Sequence, residues 1–254
     1  MPTELSVTQH LEGLRAAVLA LTAEAFRAGL RAEVPTCPGW RVRDLLAHQG
    51  MVHRWAAAQL RGADGDSAGW EEEGRRHADP LEWLRDGAVE LARQLTDAPD
   101  DLAAKVFLRD APRPRAFWAR RQCHETTIHA VDAQAAALGR PPDTGEVDWI
   151  TPELAADGID ELLGGFLPRR RSRLRLERAA RLVVAPRDAP WSWLVELGPE
   201  PPVTTRHAGG RESDADWAVT GSAVELYLRL WNRTDEPLTG DGLDWAGLAQ
   251  VTWH

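Results

Sequence analysis

The chain has 254 residues, 43% hydrophobic and 27% charged, which suits a globular protein of one large domain or two modest ones. A formal charge of −9 and a pI near 5.4 exclude generic nucleic-acid binding, which needs a basic surface. No apolar run approaches the roughly 18–20 residues of a membrane span, no secretory leader opens the chain, and Cys37 and Cys123 make no disulfide framework, so the expected compartment is the cytoplasm.

Ser6 to about Leu30 predicts the first helix, with Leu11, Leu14, Val18, Leu21 and Ala25 forming an apolar stripe at three- and four-residue steps. Pro35 and Pro38-Gly39 mark a turn, and Trp40 opens the second helix. Val42, Leu45, Gln49, Val52 and Ala56 mark the buried side of that helix, with His48 beside the stripe and able to face a bundle interior. His53, rotated about 140° from His48, is expected to face solvent or a domain seam. Residues 61–79 are polar and Gly-rich and read as a loop. Asp79-Pro80 signals a third helix from Leu81 to about Leu95. Thr96 to Pro114 reads as a connector, with Val106-Phe107 briefly extended, and a fourth helix follows over roughly Ala116 to Leu138.

The fourth helix carries the chemistry. It contains Arg120-Arg121-Gln122-Cys123-His124-Glu125-Thr126-Thr127-Ile128-His129-Ala130-Val131-Asp132-Ala133, with Gly139 and Pro141 ending the helical pattern. Residues four apart share a helix face, so Glu125 and His129 point the same way, whereas His124 is rotated by about 100° and does not join them. A carboxylate and an imidazole on one face can supply two ligands to a divalent metal, and His48 is the best third candidate. Two His and one Glu leave one position open, as catalytic rather than structural zinc sites do. The same spacing also occurs as a plain surface charge pair or helix contact. Four amphipathic helices with ligands projecting inward make a four-helix bundle the economical architecture.

Beyond Pro141 the texture changes. Thr151 to Leu163 predicts a fifth helix with Pro152 at its first position. The arginines from Arg169 to Arg181 read as a solvated face or an anion site more readily than as a nucleic-acid patch. Leu182–Ala185 and Trp191–Leu197 read as a hairpin and Trp217–Thr220 as another strand closed by Gly221. Ser222 then caps a helix through Trp231, and the tail ends at Val251-Thr252-Trp253-His254. The fold class is thus α+β in two domains: a four-helix bundle over 1–145 and a smaller α+β domain with a mostly antiparallel sheet over 146–254.

The motif Pro35-Thr36-Cys37-Pro38-Gly39-Trp40, then Val42-Arg43-Asp44-Leu45-Leu46-Ala47-His48, and later Glu125-x-x-x-His129-x-x-Asp132-Ala133, resembles the mycothiol-dependent maleylpyruvate isomerase family. That family belongs to the DinB-like metal-binding four-helix proteins. The resemblance implies zinc held by His48, Glu125 and His129. Trp191-x-Trp193-x-Val195 and the stretch from Gly221 to Arg233 are similar to the family's C-terminal domain, which has a sterol-carrier-like fold. One family arginine there helps to bind or act on substrate, and Arg233 matches it, as a catalytic and thiol-binding residue at a site between the domains. A second family arginine precedes the third helix. Asp79-Pro80 stand there in this chain, with Arg75 or Arg76 as substitutes, and that departure puts maleylpyruvate itself in doubt.

Neutral imidazoles and a carboxylate suit zinc and also tolerate nickel, iron or cobalt. A water at the open position points to hydrolysis, whereas a cofactor thiol there is deprotonated and points to addition to an electrophilic carbon. In an isomerase the thiolate adds to a conjugated cis double bond, the new single bond rotates, and elimination returns the trans isomer. In an S-transferase the adduct is released. The resemblance implies mycothiol as the thiol and a small electrophile as substrate. A metal-dependent hydrolase or thiol-exchange enzyme, and a non-catalytic metal or ligand binder, stand as alternatives, and the expected assembly is a monomer or weak homo-oligomer. Cys37 either lines the site or is a small buried hydrophobe. Cys123 lies on another face from Glu125, and Asp132 is either a hydrogen-bond partner of a ligating His or a surface charge. Twelve Trp against four Phe and one Tyr suit cores, seams and pocket walls. Lys105 is the only lysine beside abundant Arg and Ala, a bias of high-GC actinobacterial genomes.

Overall fold

Side chains that satisfy the orphan backbone groups of helix ends set most of the element boundaries. The protein is described by a computed structural model over residues 4–108, 110–209, 214–236 and 243–251. Ser6 and Gln9 form a reciprocal capping box at the start of α1 (Val7–Ala28), which stops at Gly29 with φ 82°. Helix α2 (Val42–Leu60) starts where the Asp44 carboxylate accepts from the Arg41 N–H. Asp79 accepts from the N–H groups of Leu81 and Glu82, and Pro80 fills the first position of α4 (Pro80–Asp97). Pro114 does the same for α5 (Pro114–Leu138), which ends on left-handed Gly139.

These helices belong to the first of two compact units, Leu5–Phe107 with Pro112–Pro142. In it α1 packs along α5, and α2 packs against α4 and α5. Leu14, Leu21 and Ala25 of the α1 stripe are buried, and Leu11 and Val18 are half-buried. Each fully buried Leu stabilises the bundle by roughly 1.5–3 kcal/mol. All of α5 from Phe117 to Ala136 is buried, although it carries ten polar or charged residues over that span.

The expected loop at 61–79 contains a further helix, α3 (Ser67–Arg76). Asp66 caps it, and Arg75–Glu71 and Arg76–Glu72 pairs run along it at four-residue spacing. Gly74 lets it approach α2: a Cβ there would lie 3.0 Å from the Ala47 Cα and 2.4 Å from the Trp83 indole nitrogen. Its two glycines, Gly69 and Gly74, and its polar composition hide a helix that depends on this packing. The Val106-Phe107 stretch is not a strand. His53 is fully buried, against the expectation of a solvent or seam position. Helix α2 is covered by α3, α4 and α5 together, so no side of its middle turn faces water.

The second unit is built from the chain from Asp143 onward. Thr151 caps α6 (Pro152–Asp160), which runs into a π-helical turn over Glu161–Phe166. Strands β1 (Ala180–Pro186), β2 (Trp191–Leu197), β3 (Val203–Ala208) and β4 (Trp217–Gly221) form one sheet in the order β3-β2-β1-β4. β1 and β2 form the expected hairpin with Val183 opposite Leu194; β2–β3 is also antiparallel, and β1–β4 is parallel. Strand β3 was not visible in the sequence, because its edge position leaves no residue buried and so no apolar alternation. A Ser222/Glu225 capping box starts α7 (Ala223–Leu230), which packs against α6, and a short α8 (Trp245–Leu248) follows. Trp193 donates to the Asp160 carboxylate at 2.9 Å and Trp245 to the Leu230 carbonyl at 2.9 Å, so both buried indoles satisfy their one polar group. Arg170, Arg171, Arg173 and Arg178 are exposed, and Arg181 pairs with Asp214. Thr252 to His254 lie outside the described residues. Among the described residues no helix is long and apolar enough to cross a membrane.

Candidate metal centre

The α5 face read from the sequence extends one turn further back than expected. Arg121, Glu125 and His129 succeed one another at four-residue steps, and all three are buried. Arg121 Nη2 donates to Glu125 Oε2 at 2.6 Å. The other oxygen, Oε1, lies 3.4 Å from His129 Nε2 and 3.9 Å from His48 Nε2 on α2. The two imidazoles meet edge to face, with ring centroids 5.3 Å apart. His48, Glu125 and His129 therefore come together, each with one ligating atom within 4.8 Å of the others.

The Pro35–Trp40 turn closes this group. Hydrogen bonds from Cys37 N to the Val34 carbonyl, from Trp40 N to the Cys37 carbonyl and from Val34 N to the Trp40 carbonyl hold it, with Gly39 at φ 86°. Trp40 lies against both imidazoles, with its ring centroid 4.9 Å from that of His48 and 6.1 Å from that of His129. Thr36 Oγ1 donates to Asp132 Oδ1 at 2.5 Å, and Cys37 Sγ lies 3.3 Å from Oδ2. The same Oδ2 accepts from His129 Nδ1 at 2.8 Å. Asp132 is thus a buried hydrogen-bond partner of His129 and not a surface charge, and Cys37 lies beside it.

Donor chemistry tests whether a metal fits. A tetrahedral ion with bonds of about 2.0–2.1 Å has ligand atoms about 3.3–3.4 Å apart. The 3.4 Å His129–Glu125 spacing matches, and His48 at 3.9 Å needs only a small shift. Both other functional atoms are engaged elsewhere: Oε2 by Arg121 and Nδ1 by Asp132. Cys37, His129 and Asp132 also lie close together, but their Oδ2–Nδ1 distance of 2.8 Å is a hydrogen bond, too short for two ligands of one ion. The residues present fit a divalent metal at the first set.

The electrostatics agree. Burial by itself pushes the Glu125 carboxyl up, but the Arg121 guanidinium, with His129 and His48, outweighs it and holds the group well below the usual carboxylate range. Burial pulls His129 down, yet its bonds to Asp132 and Glu125 prevail and raise it to about 9. Protonated, His129 bridges two carboxylates, and a divalent ion would replace its positive charge. Next to the centre, His53 Nε2 lies 2.9 Å from both Gln49 Nε2 and Thr126 Oγ1. Burial first, then Arg54, pushes His53 down to about 3, so it is neutral and its lone pair accepts from the Gln49 amide.

His124 turns away from the set, as expected, with its ring centroid 6.1 Å from that of His10, and Cys123 is fully buried. Arg75 and Arg76 are engaged with the acids of α3 and Asp44. Arg233 follows α7 in the second unit, half-buried, with Nη1 donating to the Trp231 carbonyl at 2.8 Å. The roles of Arg121 and Thr36 were missed in the sequence. Arg121 was findable, one turn before Glu125 on the same face, whereas nothing local marks Thr36.

Two family models match the chain, one over the helical bundle and one over the α+β unit. Residues 11–134 match the mycothiol maleylpyruvate isomerase N-terminal domain and residues 153–251 the MDMPI C-terminal domain. The chain belongs to the mycothiol-dependent maleylpyruvate isomerase family, a family of enzymes. No curated protein matches it significantly. It is similar in fold to the crystal structure of the mycothiol-dependent maleylpyruvate isomerase, at 16% identity and TM-score 0.61, over 94% of this chain and 95% of that one. A histidine-to-alanine mutant of mycothiol-dependent maleylpyruvate isomerase gives 15% identity and TM-score 0.62 over the same shares.

Proposed function

We propose that this protein is a zinc-dependent, cytoplasmic isomerase or S-transferase that uses mycothiol on a small electrophile, with His48, Glu125 and His129 as the metal ligands. The observation that carries the reading is the convergence of His48 Nε2, Glu125 Oε1 and His129 Nε2 while Arg121 and Asp132 occupy the remaining atoms of Glu125 and His129. When bound, zinc supplies Lewis acidity that favours the thiolate form of a thiol at its open position.

The protein's residues prepare that position. Asp132 fixes His129 as the tautomer with hydrogen on Nδ1, which leaves the Nε2 lone pair for the metal. Thr36 and Cys37 hold Asp132 in turn. The Trp40 ring covers both imidazoles and keeps water from that side. Arg233 is assigned to substrate or thiol binding by its match to the family motif, since an anionic substrate and a hydroxyl-rich thiol both favour a guanidinium.

Metal analysis of the purified protein tests the reading: close to one divalent ion per chain is expected, and loss of it in His129→Ala. Activity across a panel of electrophiles, with and without mycothiol, tests the thiol requirement, and mycothiol consumed rather than regenerated marks transfer rather than isomerisation. Stoichiometric metal in a His48→Ala/Glu125→Ala/His129→Ala variant, or turnover independent of the thiol, would sink it.

A further inference from the structure

The geometry points to Arg121 as a positioning residue: by holding Oε2 of Glu125 it restricts that carboxylate to metal binding through Oε1 alone and keeps the fourth coordination position open. The inference rests on the proposed metal-dependent function and adds a determinant of reactivity to it.

Three observations lead there. Arg121 is 1% exposed, and a guanidinium is costly to bury unless a charged partner compensates it. Its Nη2 lies 2.6 Å from Oε2, a charge-assisted bond, on the carboxylate oxygen other than the one facing His48 and His129. Arg121 and Glu125 are one turn apart on α5, so the helix backbone fixes the pairing before any ion arrives. Catalytic zinc holds three protein ligands and one exchangeable group. A carboxylate bound through both oxygens would fill the place of that group. The hydrogen bond to Arg121 therefore decides whether the site is open or closed.

Charge reinforces the effect. Arg121 places one positive charge directly beside the Glu125 carboxylate. That charge weakens retention of the metal and favours an incoming thiolate, because both interactions are poorly screened in the interior. The two consequences have opposite signs. A side chain that merely props up Glu125 would, when removed, cost metal affinity by roughly 10–100-fold. Removing a residue that limits Glu125 to one oxygen would instead tighten the metal and weaken the thiol.

The test uses the full chain. X-ray absorption of the zinc-loaded wild-type protein should show a carboxylate bound through one oxygen and an exchangeable light atom in the fourth position. Arg121→Met should bind metal roughly tenfold more tightly by chelator competition and mycothiol at least tenfold more weakly. In the cobalt form its visible bands should weaken as the coordination number rises. Arg121→Lys, which keeps the charge and one N–H, should restore the wild-type pattern in part. If Arg121→Met does not fold, the wild-type absorption measurement still decides. A wild-type carboxylate bound through both oxygens, or an Arg121→Met protein with weaker metal binding and an unchanged cobalt spectrum, overturns the inference alone. Wild-type protein that takes up no metal overturns the functional reading beneath it.

Discussion

Asp132 Oδ2 lies 2.8 Å from Nδ1 of His129, and Thr36, in a turn 96 residues earlier in the chain, donates to the other oxygen of the same carboxylate. The orientation of a candidate metal ligand is therefore set in part by a residue outside the helix that bears it, acting through Asp132. Asp132→Ala should lower metal affinity by roughly 10–100-fold while the fold persists, and Thr36→Val should lower it less. Chelator competition with parallel thermal melts checks both. Equal metal affinity in Asp132→Ala and wild type would show that the bond does not orient His129 for a ligand role.

The thiol step makes a calorimetric prediction. A free thiol has a pKa near 8.5, so mycothiol that binds as thiolate at neutral pH should release about one proton. Titration in two buffers of different ionisation enthalpy counts it. The metal-free protein should bind more weakly and release none. In the cobalt form a sulfur-to-metal charge-transfer band should rise with the same saturation curve, and its absence would rule out direct ligation.

His53 gives the protein an acid sensitivity with a defined sign. Its pKa is about 3 in the fold, through burial and then Arg54, against an ordinary 6.5. Between these values the unfolded chain binds a proton that the folded chain does not, so stability is complete above pH 6.5 and falls as pH drops towards 3. The full loss is of the order of 5 kcal/mol. His53→Gln should flatten this dependence, narrowing the difference in unfolding free energy between pH 7 and about pH 4.5 by roughly 2–3 kcal/mol. Urea unfolding at both pH values measures it, and an unchanged slope would mean that His53 is not the responsible group.

Arg233→Ala should weaken substrate or thiol binding and leave the metal in place. Steady-state kinetics together with metal analysis of the same preparation provide the check. Unchanged kinetics would remove Arg233 from the site. Loss of metal along with activity would point to a structural role for the loop after α7.

What the sequence determined by itself is what local periodicity and capping control. The 3.6-residue turn puts Glu125 and His129 on one face wherever α5 goes, and Ser6, Asp79-Pro80, Pro114, Thr151 and Ser222 start helices because their own side chains or rings satisfy or tolerate the free N–H groups. The motifs from Pro35 to His48 and from Glu125 to Ala133, with the stretches at Trp191 and Gly221–Arg233, carry the family resemblance. Tertiary structure alone decided which faces are covered. A single apolar stripe predicts one buried side, but α2 has neighbours on three, so His53 ended inside with Gln49 and Thr126 as partners. The same holds for α3, a polar segment whose helix depends on Gly74 meeting Ala47 and Trp83. Whether Asp132 was a surface charge or the anchor of His129 likewise rested on the turn at Thr36, a contact made across 96 residues that no spacing within α5 encodes. Helix geometry is a property of neighbours along the chain, whereas the meeting of Thr36 with Asp132 and of His48 with Glu125 exists only once separate helices have packed.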